Sequence, residues 1–290
     1  MNIGFIGLGK MGQLIAANFI KANLPLFAYD INSMAIKNIC LSGAVPCSNP
    51  KDLLIKSDVI MLSLPNYEAI KDVIFGNNGL LKAKDYLKGK AIINFSTNSI
   101  KSSKYFDKLL SEENIHWLEA PVSGGIVGAN KGNLTIMIAG DRKQYLKYKS
   151  LLKIIGKRIE YTGITGTALS VKLINQLLFF NNLTTIFEAI NLTKNLGVNV
   201  DLMFKILLDS SGESYALKKL YKKYIENTNC NITAIPFDLL IKDMDLILEI
   251  GKNKKIPLPL SSLSQSFFRY MSNLGHGNDD IIDYISEFTK

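Results

Sequence analysis

Three glycines at fixed spacing, Gly7-Leu8-Gly9-Lys10-Met11-Gly12, constrain this chain more than any other feature. An apolar run, Asn2–Ile6, precedes them, and a stretch with helical periodicity, Met11–Ala22, follows. A strand that turns on glycine into a helix opens a βαβ unit. Gly7 suits the tight turn, Gly9 lets an anion approach the backbone, and Gly12 lets the helix pack on the strand. The helix then offers that anion its free N–H groups and positive dipole end. The next apolar run, Leu24–Tyr29, ends at Asp30, 18 residues after Gly12. A carboxylate there accepts hydrogen bonds from ribose hydroxyls. The pattern predicts a dinucleotide site built from Gly7, Leu8, Gly9, Lys10, Met11, Gly12 and Asp30. Asp30 also repels a 2′-phosphate, and Ile31 stands where an arginine would favour one. NAD is therefore the expected cofactor, with NADP the less favoured.

Further apolar runs, Val59–Leu64, Ala91–Phe95, Trp117–Ala120 and Leu134–Ala139, alternate with helical stretches such as Ser33–Leu41. Asn49-Pro50 reads as an N-cap followed by proline at the first helical position. Strands alternating with helices predict a largely parallel sheet covered on both faces. Beyond residue 163 the pattern changes. An apolar helical stretch from about Leu169 to Leu196 is followed by helical segments at Asp201–Asp209, Tyr215–Glu226, Asp238–Gly251, Leu260–Leu274 and Asp279–Thr289. The expected fold is an α/β Rossmann domain followed by an all-α domain built on a long interdomain helix. The expected domains are residues 1–163, binding NAD, and 164–290, serving substrate binding and dimerisation. A cleft at that junction is the expected place for the substrate. The long stretch is too apolar around its circumference for a surface helix, so a second domain or subunit should cover it.

Composition excludes several classes. Lys172, Asn175, Gln176, Asn181, Asn182 and Glu188 interrupt the most apolar stretch, which argues against a membrane span. Three scattered cysteines, Cys40, Cys47 and Cys230, and two histidines, His116 and His276, suggest neither a disulfide framework nor a metal site. No signal segment is visible, so a cytoplasmic location is expected. The net charge of +9 comes from lysines at spacings such as Lys101/Lys104/Lys108 and Lys143/Lys147/Lys149. These read as solvated helix faces rather than a nucleic-acid surface, and they favour a small anionic substrate by weak steering.

Three more stretches carry possible chemistry. In Ala120-Pro121-Val122-Ser123-Gly124-Gly125, consecutive backbone N–H groups after the serine can receive a carboxylate, although Ser-Gly-Gly alone is equally a plain turn. In Lys172-Leu173-Ile174-Asn175-Gln176, Lys172, Asn175 and Gln176 share one helix face. Burial lowers an ammonium's pKa and suits it to acid–base work. A lysine that snorkels to solvent fits the same composition. Lys242-Asp243 by itself reads as a surface pair.

Taken in order, these motifs, with Gly-Asn-Leu-Thr at 132–135, resemble the β-hydroxyacid dehydrogenase family, which includes 3-hydroxyisobutyrate dehydrogenase and tartronate semialdehyde reductase. The resemblance covers nearly the whole chain. It implies that Lys172 is the catalytic lysine, that Asn175 orients the substrate, and that Ser123, Gly124 and Gly125 bind it. Leu64, Pro65, Thr97 and Lys242 become further cofactor contacts. It implies reversible oxidation of a 3-hydroxy acid to its semialdehyde, and assembly as a homodimer or homotetramer. Ala168 departs from a glycine usual in the family, and Glu213 from its substrate-pocket loop at 210–215. Gly275-His276-Gly277 reads as a turn capping the last helix. The alternatives are an NADPH-type semialdehyde or glyoxylate reductase, an imine reductase, whose relatives typically replace the lysine, and a non-catalytic dinucleotide-binding module.

Overall fold

The computed structural model describes residues 1–224 and 235–287; Cys230 and the ends of the helices expected at Tyr215–Glu226 and Asp279–Thr289 lie outside them. The chain forms two compact units, Met1–Lys172 and Leu173–Lys290. The first carries β1 (Ile3–Ile6), α1 (Lys10–Lys21), β2 (Leu26–Tyr29), α2 (Ser33–Leu41), β3 (Val45–Pro46), α3 (Pro50–Ile55), β4 (Val59–Leu62) and α4 (Tyr67–Phe75). It continues with β5 (Ala91–Asn94), α5 (Ile100–Glu112), β6 (His116–Glu119), β7 (Val122–Ser123), α6 (Gly125–Asn130), β8 (Leu134–Gly140), α7 (Arg142–Leu152), β9 (Gly156–Gly163) and the first turns of α8 (Thr167–Asn195). The second unit is helical: the rest of α8, then α9 (Val200–Leu208), α10 (Tyr215–Tyr224), α11 (Phe237–Lys254), α12 (Pro259–Met271) and α13 (Ile281–Glu287).

The strand order is β3-β2-β1-β4-β5-β6-β8-β7, with β9 pairing β8. The first six strands run parallel, in register from Ile3↔Leu26 and Ile3↔Val59 through to Asn94↔Glu119. Burial explains why β1, β4 and the first three residues of β5 are apolar. Each is covered on both faces, so each is buried throughout. One face packs Ile15, Phe19, Ile39 and Tyr148 from α1, α2 and α7. The other packs Leu53, Ile70, Ile74 and Phe106 from α3, α4 and α5. The order reverses between β1 and β4, which opens a crevice at the carboxyl ends of those strands.

β6 and β7 are one path interrupted by Pro121. The antiparallel register against β8 passes through the interruption unchanged: Leu118↔Gly140, Glu119↔Ala139, Val122↔Ile136, Ser123↔Thr135. Pro121 has no N–H to give the ladder, but its carbonyl accepts from Met137 N at 3.1 Å. The apolar pattern misses β3, β7 and β9. Two of them are two-residue pieces, and β9 exposes Lys157, Arg158 and Glu160, so its sequence carries no continuous apolar signal.

α8 has 29 residues, about 43 Å at 1.5 Å per residue. Within the chain it buries one stripe, Leu173, Phe180, Leu183, Ile186 and Ile190, in the core of the second unit. Val171, Ile174, Leu178 and Leu192 stay exposed. No helix among the described residues is long and apolar enough to cross a membrane. The lysines of α5 and α7 point to solvent, as their spacing suggested.

Candidate active site

The glycine loop follows β1, and each glycine there has its own reason. Gly7 adopts φ +94°, and a Cβ on it would overlap the Ser63 carbonyl oxygen. A Cβ on Gly12 would overlap the carbonyl oxygen of Gly7, so the helix could not sit this close to the turn. At Gly9 the φ is ordinary, −64°, and an added Cβ would meet nothing within 4 Å. The open space beside Gly9 leaves the backbone accessible to an anion. Gly9 caps α1 without a side-chain hydrogen bond, so the first-turn N–H groups can serve a phosphate.

Asp30, at the end of β2, ties this loop to the next one. Its Oδ2 accepts from Leu8 N at 2.5 Å and its Oδ1 from Asn32 N at 2.7 Å. Asn32 in turn caps α2 by accepting from Met34 N and Ala35 N. The carboxylate is thus held in place, and the neighbouring Ile31 is 93% exposed. On the other side of the crevice, Leu64 N donates to Ser96 Oγ at 2.8 Å. That bond joins the loop carrying Leu64 and Pro65 to the loop carrying Thr97. These donors and open spaces suit a dinucleotide.

The Ser123-Gly124-Gly125 turn leaves β7 with Gly124 at φ +130° and Gly125 at φ +62°, and it leads directly into α6. Gly132 and Asn133 close the loop behind it, Asn133 N donating to Gly128 O at 2.8 Å. Glu119, four residues before Ser123, is 1% exposed. Its Oε1 accepts from Gly166 N at 2.8 Å and its Oε2 from Leu169 N at 3.4 Å. Burial pushes the Glu119 carboxyl above the usual carboxylate range, against the opposing pull of the Ser103 hydroxyl and those two N–H groups.

Lys172 lies on α8 and is 8% exposed. A snorkelling lysine would leave its head in water, so that reading is set aside. Asn175, one turn further on, donates from Nδ2 to Gln176 Oε1 at 3.2 Å. Gln176 Nε2 donates to Asp243 Oδ2 at 2.9 Å, and Lys242 Nζ donates to Asp243 Oδ1 at 2.8 Å. The structure therefore brings the motifs at 172–176 and 242–243 together. Asp243 is buried at 2% exposure, which corrects the surface-pair reading: the carboxylate sits inside and organises both neighbours. Glu213 is exposed and pairs with Lys218 at 3.0 Å. Ala168 is packed against Met137 and Ala139. His276 pairs with Asp279 at 2.7 Å just before α13.

Sequence reasoning missed Glu119 and Ser96, and took Asp243 only as half of a surface pair. Glu119 stood directly before the Ala-Pro-Val motif, and a charged residue ending a strand otherwise apolar was the available signal. Nothing local marked Ser96.

Two family models match the chain. Residues 2–163 match the NAD-binding domain of 6-phosphogluconate dehydrogenase. Residues 166–287 match the NAD-binding domain of NADP-dependent 3-hydroxyisobutyrate dehydrogenase. A 2-(hydroxymethyl)glutarate dehydrogenase of Eubacterium barkeri is 34% identical over 281 residues, covering 97% of this chain and 92% of the relative. An L-threonate dehydrogenase of Cupriavidus necator is 30% identical over 280 residues, covering 96% of this chain and 93% of the relative. The crystal structure of a 3-hydroxyisobutyrate dehydrogenase from Salmonella typhimurium superposes with a TM-score of 0.85 at 26% identity, covering 99% of both chains. These matches span nearly the whole chain: the chain belongs to the β-hydroxyacid dehydrogenase family, the NAD(P)-dependent oxidoreductases typified by 3-hydroxyisobutyrate dehydrogenase.

Proposed function

We propose that the protein is an NAD-preferring dehydrogenase that oxidises a small 3-hydroxy acid to its semialdehyde and runs the reverse reaction. The observation that carries this reading is Lys172: a lysine 8% exposed, one helical turn before Asn175, in the unit that also holds the Ser123–Gly125 turn. Residues 1–163 serve as the cofactor domain and 164–290 as the substrate and assembly domain. Gly7, Leu8, Gly9, Lys10, Met11 and Gly12 receive the pyrophosphate, and Asp30 takes the ribose hydroxyls. Leu64, Pro65, Thr97 and Lys242 complete the cofactor contacts. A bound nicotinamide supplies the hydride acceptor or donor.

The chain's own residues do the rest. The backbone N–H groups of Ser123, Gly124 and Gly125 hold the substrate carboxylate, and Asn175 orients the substrate. Lys172 takes the hydroxyl proton as the carbonyl forms, and returns it to the oxygen in the reverse direction. Its positive charge also stabilises the oxygen as negative charge develops. Retention of this lysine favours hydroxy-acid oxidation over imine reduction, and over a non-catalytic module. The exposed apolar residues Val171, Ile174, Leu178 and Leu192 of α8 support a homodimer or homotetramer. A cytoplasmic location fits a chain with buried or half-buried thiols at Cys47 and Cys40.

The test is turnover of 3-hydroxyisobutyrate, 2-(hydroxymethyl)glutarate and threonate with NAD and NADP, beside the Lys172→Ala and Lys172→Met variants. Loss of a general acid–base group costs about 10²–10⁴-fold, so both variants should lose that much turnover while binding NADH normally by fluorescence. Retention of more than about a tenth of wild-type turnover by Lys172→Ala, well above what that range allows, would show the assignment to be wrong.

A further inference from the structure

A buried carboxylate outside the catalytic set connects its two halves. Gly166, at the start of α8, has no side chain with which to cap the helix, and the hydroxyls nearby face elsewhere. Thr167 Oγ1 donates to Ile164 O and Ser170 Oγ to Gly166 O. The acceptor for the first N–H groups comes instead from Glu119, 47 residues earlier. The N–H groups of Gly166 and Leu169 both end on this one carboxylate, 2.8 and 3.4 Å away. Behind it, the Ser103 hydroxyl of α5 draws the Glu119 pKa down against the effect of burial, and Ser103 Oγ accepts from the Trp117 indole at 2.8 Å. A carboxylate buried to 1% exposure is costly unless its hydrogen bonds do something that an apolar residue could not.

Its position says what that is. Lys172 is three residues beyond Leu169, within one helical turn of the anchored N–H. Ser123 is four residues beyond Glu119, on a path whose register against β8 runs unbroken from Leu118 to Ser123. By the two-residue alternation of a strand, the two side chains share one face. One carboxylate therefore stands about one turn from the proton carrier and about four residues from the carboxylate-binding turn. All of these residues lie in the first compact unit.

We propose that Glu119 is a positioning residue, fixing the start of α8, and with it Lys172, in register with the Ser123–Gly125 substrate turn. The proposal rests on the reading of Lys172 and that turn as the reacting pair. Glu119 touches neither substrate nor cofactor; it acts through the helix. A displacement near 1 Å between reacting groups costs roughly 10²-fold in rate, so a loosened helix start is read in kcat and leaves dinucleotide binding alone.

The experiment is a double-mutant cycle of Glu119→Gln with Lys172→Ala, using the hydroxy acid that the wild-type enzyme oxidises best. kcat is normalised to NADH-binding sites counted by fluorescence titration. Gln is near-isosteric and removes the charge, leaving one carbonyl for two N–H groups. Glu119→Gln should lower kcat per site about tenfold, with the NADH affinity within about twofold of wild type. In the Lys172→Ala background the same change should cost less than about twofold, because the residue it positions is gone. A tenfold loss in both backgrounds would overturn the proposal, since a merely structural role is additive. So would a kcat per site within about twofold of wild type in the single variant. Glu119→Ala should exceed the effect of Gln; if it fails to fold, the Gln cycle decides alone. If Lys172→Ala keeps its turnover, the catalytic reading itself has failed. If Lys172→Ala collapses and Glu119→Gln does not, the positioning role alone is refuted.

Discussion

Exchange of Asp30, the carboxylate proposed to select the cofactor, is the sharpest test of the dinucleotide site. Asp30 is half-buried and fixed by Leu8 N at 2.5 Å and Asn32 N at 2.7 Å, so it cannot swing away from an incoming 2′-phosphate. Two unit charges about 4 Å apart repel by roughly 1 kcal/mol in water and roughly 4 kcal/mol near a protein surface. That range corresponds to discrimination against NADP of about one to three orders of magnitude. Asp30→Asn removes the charge and keeps one carbonyl acceptor. One of the two N–H groups then loses its carboxylate partner, so kcat/KM with NAD should fall as well. The ratio of kcat/KM for NADP to that for NAD should nonetheless rise at least about tenfold, the lower part of the electrostatic range. Ile31 is 93% exposed, so arginine there displaces no packing. Asp30→Asn with Ile31→Arg should invert the preference, because a guanidinium binds a phosphate bidentately. The assay is initial-rate kinetics with both cofactors and one substrate. A wild-type preference for NADP would refute the reasoning, as would an Asp30→Asn ratio equal to that of wild type.

Other expectations follow from the same geometry. Gly9→Ala adds a methyl where nothing stands within 4 Å. It should melt like the wild type yet weaken NADH binding by about tenfold or more, roughly 1.4 kcal/mol. Gly12→Ala, whose methyl would overlap the Gly7 carbonyl oxygen, should lower the melting temperature as well; equal melting of the two variants would contradict the packing argument. Light scattering at micromolar concentration should give two or four times the 32.2 kDa chain mass, and Leu178→Lys on the exposed face of α8 should reduce it. A wild-type monomer would remove the assembly role of that helix. Burial pushes the Cys47 thiol up to about 11, so at pH 8 it should remain a thiol and resist iodoacetamide; rapid alkylation of Cys47 seen by peptide mass spectrometry would contradict that burial.

The backbone readings that succeeded from sequence, the strand–turn–helix at the glycines and the apolar strands, rest on local conformational demands. Gly7, Gly9, Gly12 and Asp30 sit within one strand–helix–strand unit, where each residue answers a constraint set by its immediate neighbours. The runs at β1, β4 and β5 were legible because a parallel sheet buried on both faces needs uninterrupted apolar residues. β3, β7 and β9 were not, being short or polar at an edge. The decisive polar interior was also out of reach. Lys172 could equally have snorkelled, and Lys242-Asp243 looked like a surface pair, until folding buried Lys172 and Asp243. Gln176 meets Asp243 across 67 positions of sequence, and Gly166 meets Glu119 across 47. A buried carboxylate is tolerable only where donors converge on it, and that convergence comes from elements far apart in the chain. Sequence alone determined the glycine turn between β1 and α1, the strand and helix periods and, by resemblance, the family; tertiary structure decided which charged side chains lie inside and what holds them there, because hydrogen-bond satisfaction over long range leaves no periodic trace in the chain.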